Sequence, residues 1–159
     1  MSSGNNYKKN NKVNEVPFMP VNRLITNNEV EDILKSLAKV LPTGKFTSGS
    51  YLEKFEDALS IYLQKRYVIS TSNGTDTLMI SLLALGLERG DEVIMPANSF
   101  SVTENAVLAW GGIPVYVDIN PNTFCIDQNK IEEVITTKTK FILPVHLYGK
   151  HSEMKEYVI

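Results

Sequence analysis

The chain has 159 residues, 43% hydrophobic and 21% charged, which fits one soluble globular domain and excludes wholesale disorder. Sixteen Lys and Arg against eighteen Asp and Glu leave a net charge of −2, so there is no basic excess to draw nucleic acid or an anionic membrane. A single cysteine, Cys125, excludes an intrachain disulfide framework and a Cys-based zinc site, and no run reaches the ~18 apolar residues of a membrane span, so a soluble, cytoplasmic protein is expected.

Residues 1–16 are rich in Asn, Lys and Ser and read as a disordered polar tail. Order is expected from Pro17 onward. Val30, Ile33, Leu34, Leu37, Val40 and Leu41 recur at spacings of three and four, which predicts an amphipathic helix. Asn27 or Asn28 is its expected cap, the acids Glu29, Glu31 and Asp32 suit its first turn, and Pro42 and Gly44 stop it. The turn-rich stretch 42–50 leads to Ser50 and Glu53, which read as a capping box for a second helix carrying Leu52, Phe55, Leu59, Tyr62 and Leu63.

From residue 67 the pattern becomes strand, loop, helix, repeated. Tyr67–Ile69 reads as a short strand, and 75–87 as a helix apolar nearly all round, hence buried. Glu92–Met95 is the next strand. Ser101 and Glu104 read as a capping box for a helix ending at Gly111-Gly112. Ile113–Val117 is a strand, Asp127 caps a helix over about 128–136, Lys140–Val145 is a further strand, and Ser152 caps one more helix. Strands alternating with helices predict an α/β fold with a mostly parallel sheet between helices. In such sheets ligands bind at the carboxyl ends of the strands, which singles out the loops 70–75, 96–100 and 145–151.

The first loop, Ser72-Asn73-Gly74-Thr75, lies between an apolar strand and a buried helix. Free N–H groups at such a helix start bind phosphate, Gly74 permits close approach, and Ser72 and Thr75 add hydroxyls. The same residues also serve a plain N-cap with a glycine turn. No GxxxxGK[ST] or GxGxxG signature is present. Phe100 follows the next strand, where its ring could stack on a planar heterocycle or pack into the core. His146 follows the last apolar strand as a ligand contact, a general acid/base or a structural histidine. Asp118 reads as a tie for the loop 119–121, Cys125 as a small buried filler, and Glu132 and Glu133 as a solvated face.

In this order the pieces resemble the start of the large domain of the DegT/DnrJ/EryC1/StrS family, sugar aminotransferases of fold type I that depend on pyridoxal phosphate. The resemblance rests on Gly44–Gly49 (GKFTSG), Ser72–Asp76 (SNGTD), Gly90–Ile94 (GDEVI), Pro96–Thr103 (PANSFSVT), Pro114–Ile119 (PVYVDI) and Pro144–Gly149 (PVHLYG), six stretches in register. In detail, VLPTGKFTSG and IMPANSFS resemble members that act on a 3-oxo sugar phosphate in amino-sugar antibiotic formation.

The resemblance implies pyridoxal 5′-phosphate as cofactor, its phosphate on the backbone of Gly74 and Thr75. The Thr75 hydroxyl and the Asp76 N–H would help, and Phe100 would stack on the ring. Ser48 and Gly49 lie near the family's active site, and His146 begins a loop close to the cofactor. The implied reaction moves an amino group from glutamate or glutamine to a keto sugar, carried as a sugar phosphate or on a nucleotide, in a homodimer with neither nucleic acid nor membrane as partner. The family's Schiff-base lysine and pyridine-facing aspartate are expected beyond Ile159; Lys138, Lys140 and Lys150 read as surface charge. The expectation is therefore the N-terminal part of a longer enzyme, inactive and marginally stable alone: a tail (1–16), a helix with an active-site loop (17–50) and an incomplete cofactor-binding domain (51–159). Two other readings stay open, a non-catalytic remnant or dimerisation module, and a generic phosphate- or nucleotide-binding α/β domain.

Overall fold

The structure, a computed structural model, describes residues 21–153. The expected tail over 1–16 and a helix beyond Ser152 lie outside those residues. The chain divides into two compact units, 1–68 and 69–159.

The N-terminal unit carries α1 (Asn27–Val40) and α2 (Ser50–Leu63), each of 14 residues. Neither expected asparagine caps α1. Thr26 does: its hydroxyl accepts the Glu29 amide at 3.4 Å, and the Glu29 carboxylate accepts the Thr26 amide at 2.7 Å. This reciprocal box satisfies one donor at each end, more than a lone Asn would. The apolar stripe forms as predicted, yet no α1 residue is fully buried. Nor does the Ser50–Glu53 box form. Gly49 is the N-cap of α2 at φ 114°, ψ −172°, a conformation essentially reserved for glycine, so Ser50 is already the first helical residue.

The second unit is a three-stranded parallel sheet with helices. Its elements are α3 (Gly74–Ala84), β1 (Glu92–Pro96), α4 (Ser101–Leu108), β2 (Ile113–Val117) and β3 (Thr139–Ile142). The sheet order is β2-β1-β3. Glu92 pairs with Ile113 and Ile94 with Val115; against β3, Val93 pairs with Phe141 and Ile94 with Ile142. Alternation along β1 sends neighbouring side chains to opposite faces, and both faces are covered. Val93 joins Leu82, Leu87, Ala106 and Val107 on the helix side, while Ile94 joins Val117, Ile126 and Ile131 on the other. That double burial explains why β1 reads as a continuous apolar run.

Several boundaries differ from expectation. Residues 67–69 form no strand: they pair with none of the three described strands. α3 stops at Ala84: Gly86 turns the chain at φ 88° and the Leu87 amide returns to the Leu82 carbonyl at 3.0 Å. One flank of α3 is uncovered, with Ile80 52% exposed, so the expected all-round burial is not seen among the described residues. The helix at 101 starts on Ser101 itself, capped by the Phe100 backbone without a side-chain bond; Glu104 hydrogen-bonds Tyr116 instead, which pushes that phenol's pKa up. Asp127 caps as predicted, but two 3-10 turns follow (Gln128–Lys130, Glu132–Val134) in place of an α-helix. The run Val134-Ile135-Thr136-Thr137 is β-branched throughout, which disfavours helix propagation. β3 ends at Ile142, where pairing with β1 runs out after the Leu143 amide reaches the Ile94 carbonyl.

Candidate functional site

α3 delivers the chain through the 85–91 turn to the amino end of β1. Running back along the strands, it sets its own N-terminus toward their carboxyl ends. The loops after β1 and β3 leave from that same end, because the strands are parallel. Gly74, Thr75, Phe100 and His146 all follow from this one topological fact.

The turn before α3 is closed by its own side chains. Asn73 is the N-cap, its Oδ1 accepting the Asp76 amide at 2.9 Å. Its Nδ2 donates to Asp76 Oδ2 at 3.0 Å, and the Ser72 hydroxyl donates to the same carboxylate. The Asp76 amide expected to serve a ligand is thus already committed within the turn. The Gly74 and Thr75 amides are not: no described residue accepts from them. As first residues of a helix they carry the positive end of its dipole. A Cβ built on Gly74 meets nothing within 4 Å, so the space over this backbone is open.

Phe100 is 75% exposed, which sets aside the core-packing alternative and leaves its ring face free. Just behind it, Ser99 and Thr103 share a 2.8 Å hydrogen bond that fixes the entry into α4. His146 is exposed at the carboxyl side of β3, its Nδ1 accepting the Ser152 amide at 3.0 Å. Ser48 and Gly49 belong to the N-terminal unit, where with Lys39 and Lys45 they line a cavity of about 470 Å³.

The residues assigned no chemistry behave accordingly. Asp118 accepts the Ile119 amide at 2.8 Å and then Lys130 at 3.2 Å; the backbone bond first, and the lysine second, hold its carboxyl below the usual range. Cys125 is buried, and Glu132, Glu133, Lys138, Lys140 and Lys150 are exposed. Sequence reasoning missed two positioning groups. Trp110 Nε1 donates to the Met79 carbonyl at 2.8 Å and joins α3 to the end of α4. The Ser152 amide ties His146 at Nδ1; a serine six residues from a histidine carries no sequence signal for that.

The profile of the DegT/DnrJ/EryC1/StrS aminotransferase family matches residues 27–158. The chain belongs to that family. Among DegT/DnrJ/EryC1/StrS relatives, the 3-oxo-glucose-6-phosphate:glutamate aminotransferase of Bacillus subtilis is 75% identical over 150 residues, 94% of this chain and 34% of that protein. The UDP-2-acetamido-2-deoxy-3-oxo-D-glucuronate aminotransferase of Pseudomonas aeruginosa is 42% identical over 114 residues, 72% of this chain and 32% of that protein. The crystal structure of B. subtilis NtdA with bound cofactor PMP superposes with a TM-score of 0.85 at 75% identity, covering 94% of this chain and 34% of that one. Spr1654 of Streptococcus pneumoniae in its PLP form gives 0.71 at 33% identity, covering 81% and 32%. The fold is that of fold-type I aminotransferases, and this chain spans about a third of the length of the curated relatives it matches.

Proposed function

We propose that this chain supplies the phosphate-binding turn and ring-stacking face for pyridoxal 5′-phosphate in a glutamate-dependent sugar aminotransferase, with 3-oxo-glucose 6-phosphate as the keto-sugar substrate. The observation that carries the reading is the pair of open amides at Gly74 and Thr75, beneath a space that a Cβ at residue 74 would fill. A dianionic phosphate fits there, since two N–H donors and the helix dipole favour negative charge. The Thr75 hydroxyl adds a third donor. Asp76 acts indirectly, by holding Asn73 and Ser72 in the turn.

When bound, the cofactor supplies an electron sink that takes an amino group from the donor and passes it to the ketone. This chain's residues bind and orient. Gly74 and Thr75 anchor the phosphate, and Phe100 offers its exposed ring to the pyridine face, an arrangement worth about 1 kcal/mol beyond buried area. Ser48, Gly49 and His146 are the substrate-side candidates. The lysine and aspartate that complete the chemistry are assigned to segments outside this chain.

The reading extends to a cytoplasmic homodimer, with 17–50 as helix and active-site loop and 51–159 as the first part of the cofactor-binding domain. No described helix is long and apolar enough to cross a membrane. The half-exposed stripe of α1 is an apolar surface of the kind subunit contacts cover.

The test is an amino-transfer assay on the protein as its gene encodes it, supplied with pyridoxal phosphate, 3-oxo-glucose 6-phosphate and either glutamate or glutamine. Formation of 2-oxoglutarate from glutamate, dependent on the sugar phosphate, is expected. Turnover with glutamine only, or with a nucleotide-linked keto sugar only, would overturn the donor or the substrate.

A further inference from the structure

The loop after β3 closes on its own side chains. The Ser152 amide donates to His146 Nδ1 at 3.0 Å, and the Ser152 hydroxyl donates to the Val145 carbonyl at 3.3 Å. Ser152 is only 5% exposed, so both bonds are partly shielded from water. The loop is pinned from a second side, where the buried Cys125 thiol donates to the Lys150 carbonyl at 3.4 Å. Between these ties the Gly149 amide returns to the His146 carbonyl at 3.2 Å. The His146 ring meets His151 edge-on, centroids 5.2 Å apart.

An imidazole that accepts a backbone N–H at Nδ1 is neutral and carries its proton on Nε2. No described residue accepts from that Nε2–H. His146 is exposed, and it leaves the sheet at the end where α3 begins and Phe100 emerges.

We infer that Ser152 is a positioning residue that fixes His146 as an Nε2–H donor for an anionic oxygen of the bound substrates, a phosphate or a carboxylate. The inference rests on the proposed cofactor reading, because it is that reading which brings such oxygens to this end of the sheet. It also decides among the roles open to His146: Nδ1 is occupied, so the ring serves as a donor at Nε2 and not as a base at Nδ1. His146 makes the contact, and Ser152 acts through it.

The test uses the protein as its gene encodes it, loaded with pyridoxamine phosphate. Nitrogen-15 spectra of the imidazoles report the tautomer directly, and the His146 signals are those that vanish in His146→Gln. Expected is an Nε2-protonated ring whose signals shift on adding glutamate or glucose 6-phosphate; which of the two moves them names the source of the oxygen. His146→Ala should raise KM for the matching substrate, glutamate or 3-oxo-glucose 6-phosphate, by about tenfold with a smaller change in kcat, and His146→Gln, whose amide nitrogen stands near the Nε2 position, should recover most of it. Ser152→Pro removes the amide and should mix the tautomers. Should it not fold, Ser152→Ala keeps the amide and should keep the Nε2–H form. An Nδ1-protonated or charged ring, or no response to either probe with KM unchanged in His146→Ala, overturns the inference. Failure of pyridoxamine phosphate to bind at all defeats the cofactor reading instead, and leaves the tautomer measurable on the unloaded protein.

Discussion

Asn73 grips Asp76 at two points: its Oδ1 accepts the Asp76 amide at 2.9 Å and its Nδ2 donates to the Asp76 carboxylate at 3.0 Å. This clamp closes the turn before α3 and leaves the two amides between them, Gly74 and Thr75, facing outward without described acceptors. Asn73→Ala removes an N-cap and is expected to destabilise the fold by roughly 1 kcal/mol. It also leaves the Asp76 carboxylate with the Ser72 hydroxyl as its one donor in the turn, so cofactor affinity should fall with it. Denaturant unfolding and a cofactor titration on the same variant check both.

Gly74→Val separates fold from function. The position has ordinary backbone angles and open space around a Cβ, so stability should stay within about 0.5 kcal/mol. The new side chain fills the space assigned to phosphate, and cofactor affinity should drop at least about tenfold, or 1.4 kcal/mol. Equilibrium titration beside a thermal melt measures the split.

Phe100→Ala removes a ring that the fold leaves exposed. Stability should change little, while cofactor binding weakens about fivefold, the equivalent of roughly 1 kcal/mol of stacking. A melt that falls sharply with binding intact would return Phe100 to a packing role.

Much of this was legible from residues alone. β1 and β2 fall where the apolar runs place them, and the Asn-Gly-Thr turn and the exposed Phe100 sit at strand ends as the topology requires. What misled was cap chemistry. Ser50 and Ser101 both stand three residues before a glutamate, yet the backbones of Gly49 and Phe100 start those helices one residue sooner. Tyr67–Ile69 has the composition of a strand, but a strand exists only with a partner, and none is described. The Ser152–His146 bond depends on how one loop folds back, which no periodicity encodes.

The Glu29 carboxyl is held below its ordinary value, first by the Thr26 amide and then by the Thr26 hydroxyl. A lowered pKa in the folded state adds stability that is fully present above the unfolded value and is lost as pH falls through the folded one. The first turn of α1 should therefore loosen on acidification through the lower carboxylate range, and Glu29→Gln should remove that dependence. Amide exchange at Thr26–Val30 against pH is the readout.

Gly112→Ala tests the packing that seats β2. A Cβ there would lie 2.9 Å from Val107 Cγ1 and 3.2 Å from the Val107 carbonyl oxygen, both in the buried core. Neither can retreat easily, so a loss of about 1–3 kcal/mol is expected by denaturant unfolding.

The central claim is that the α3 N-terminus binds a phosphate, and the most direct measurement compares pyridoxamine 5′-phosphate with pyridoxamine by calorimetry. Neither ligand carries the aldehyde, so the comparison isolates the phosphate. The phosphorylated form should bind at least about tenfold tighter, and Gly74→Val should erase most of that difference. Equal affinity for the two ligands, or a difference that survives Gly74→Val, would contradict the claim.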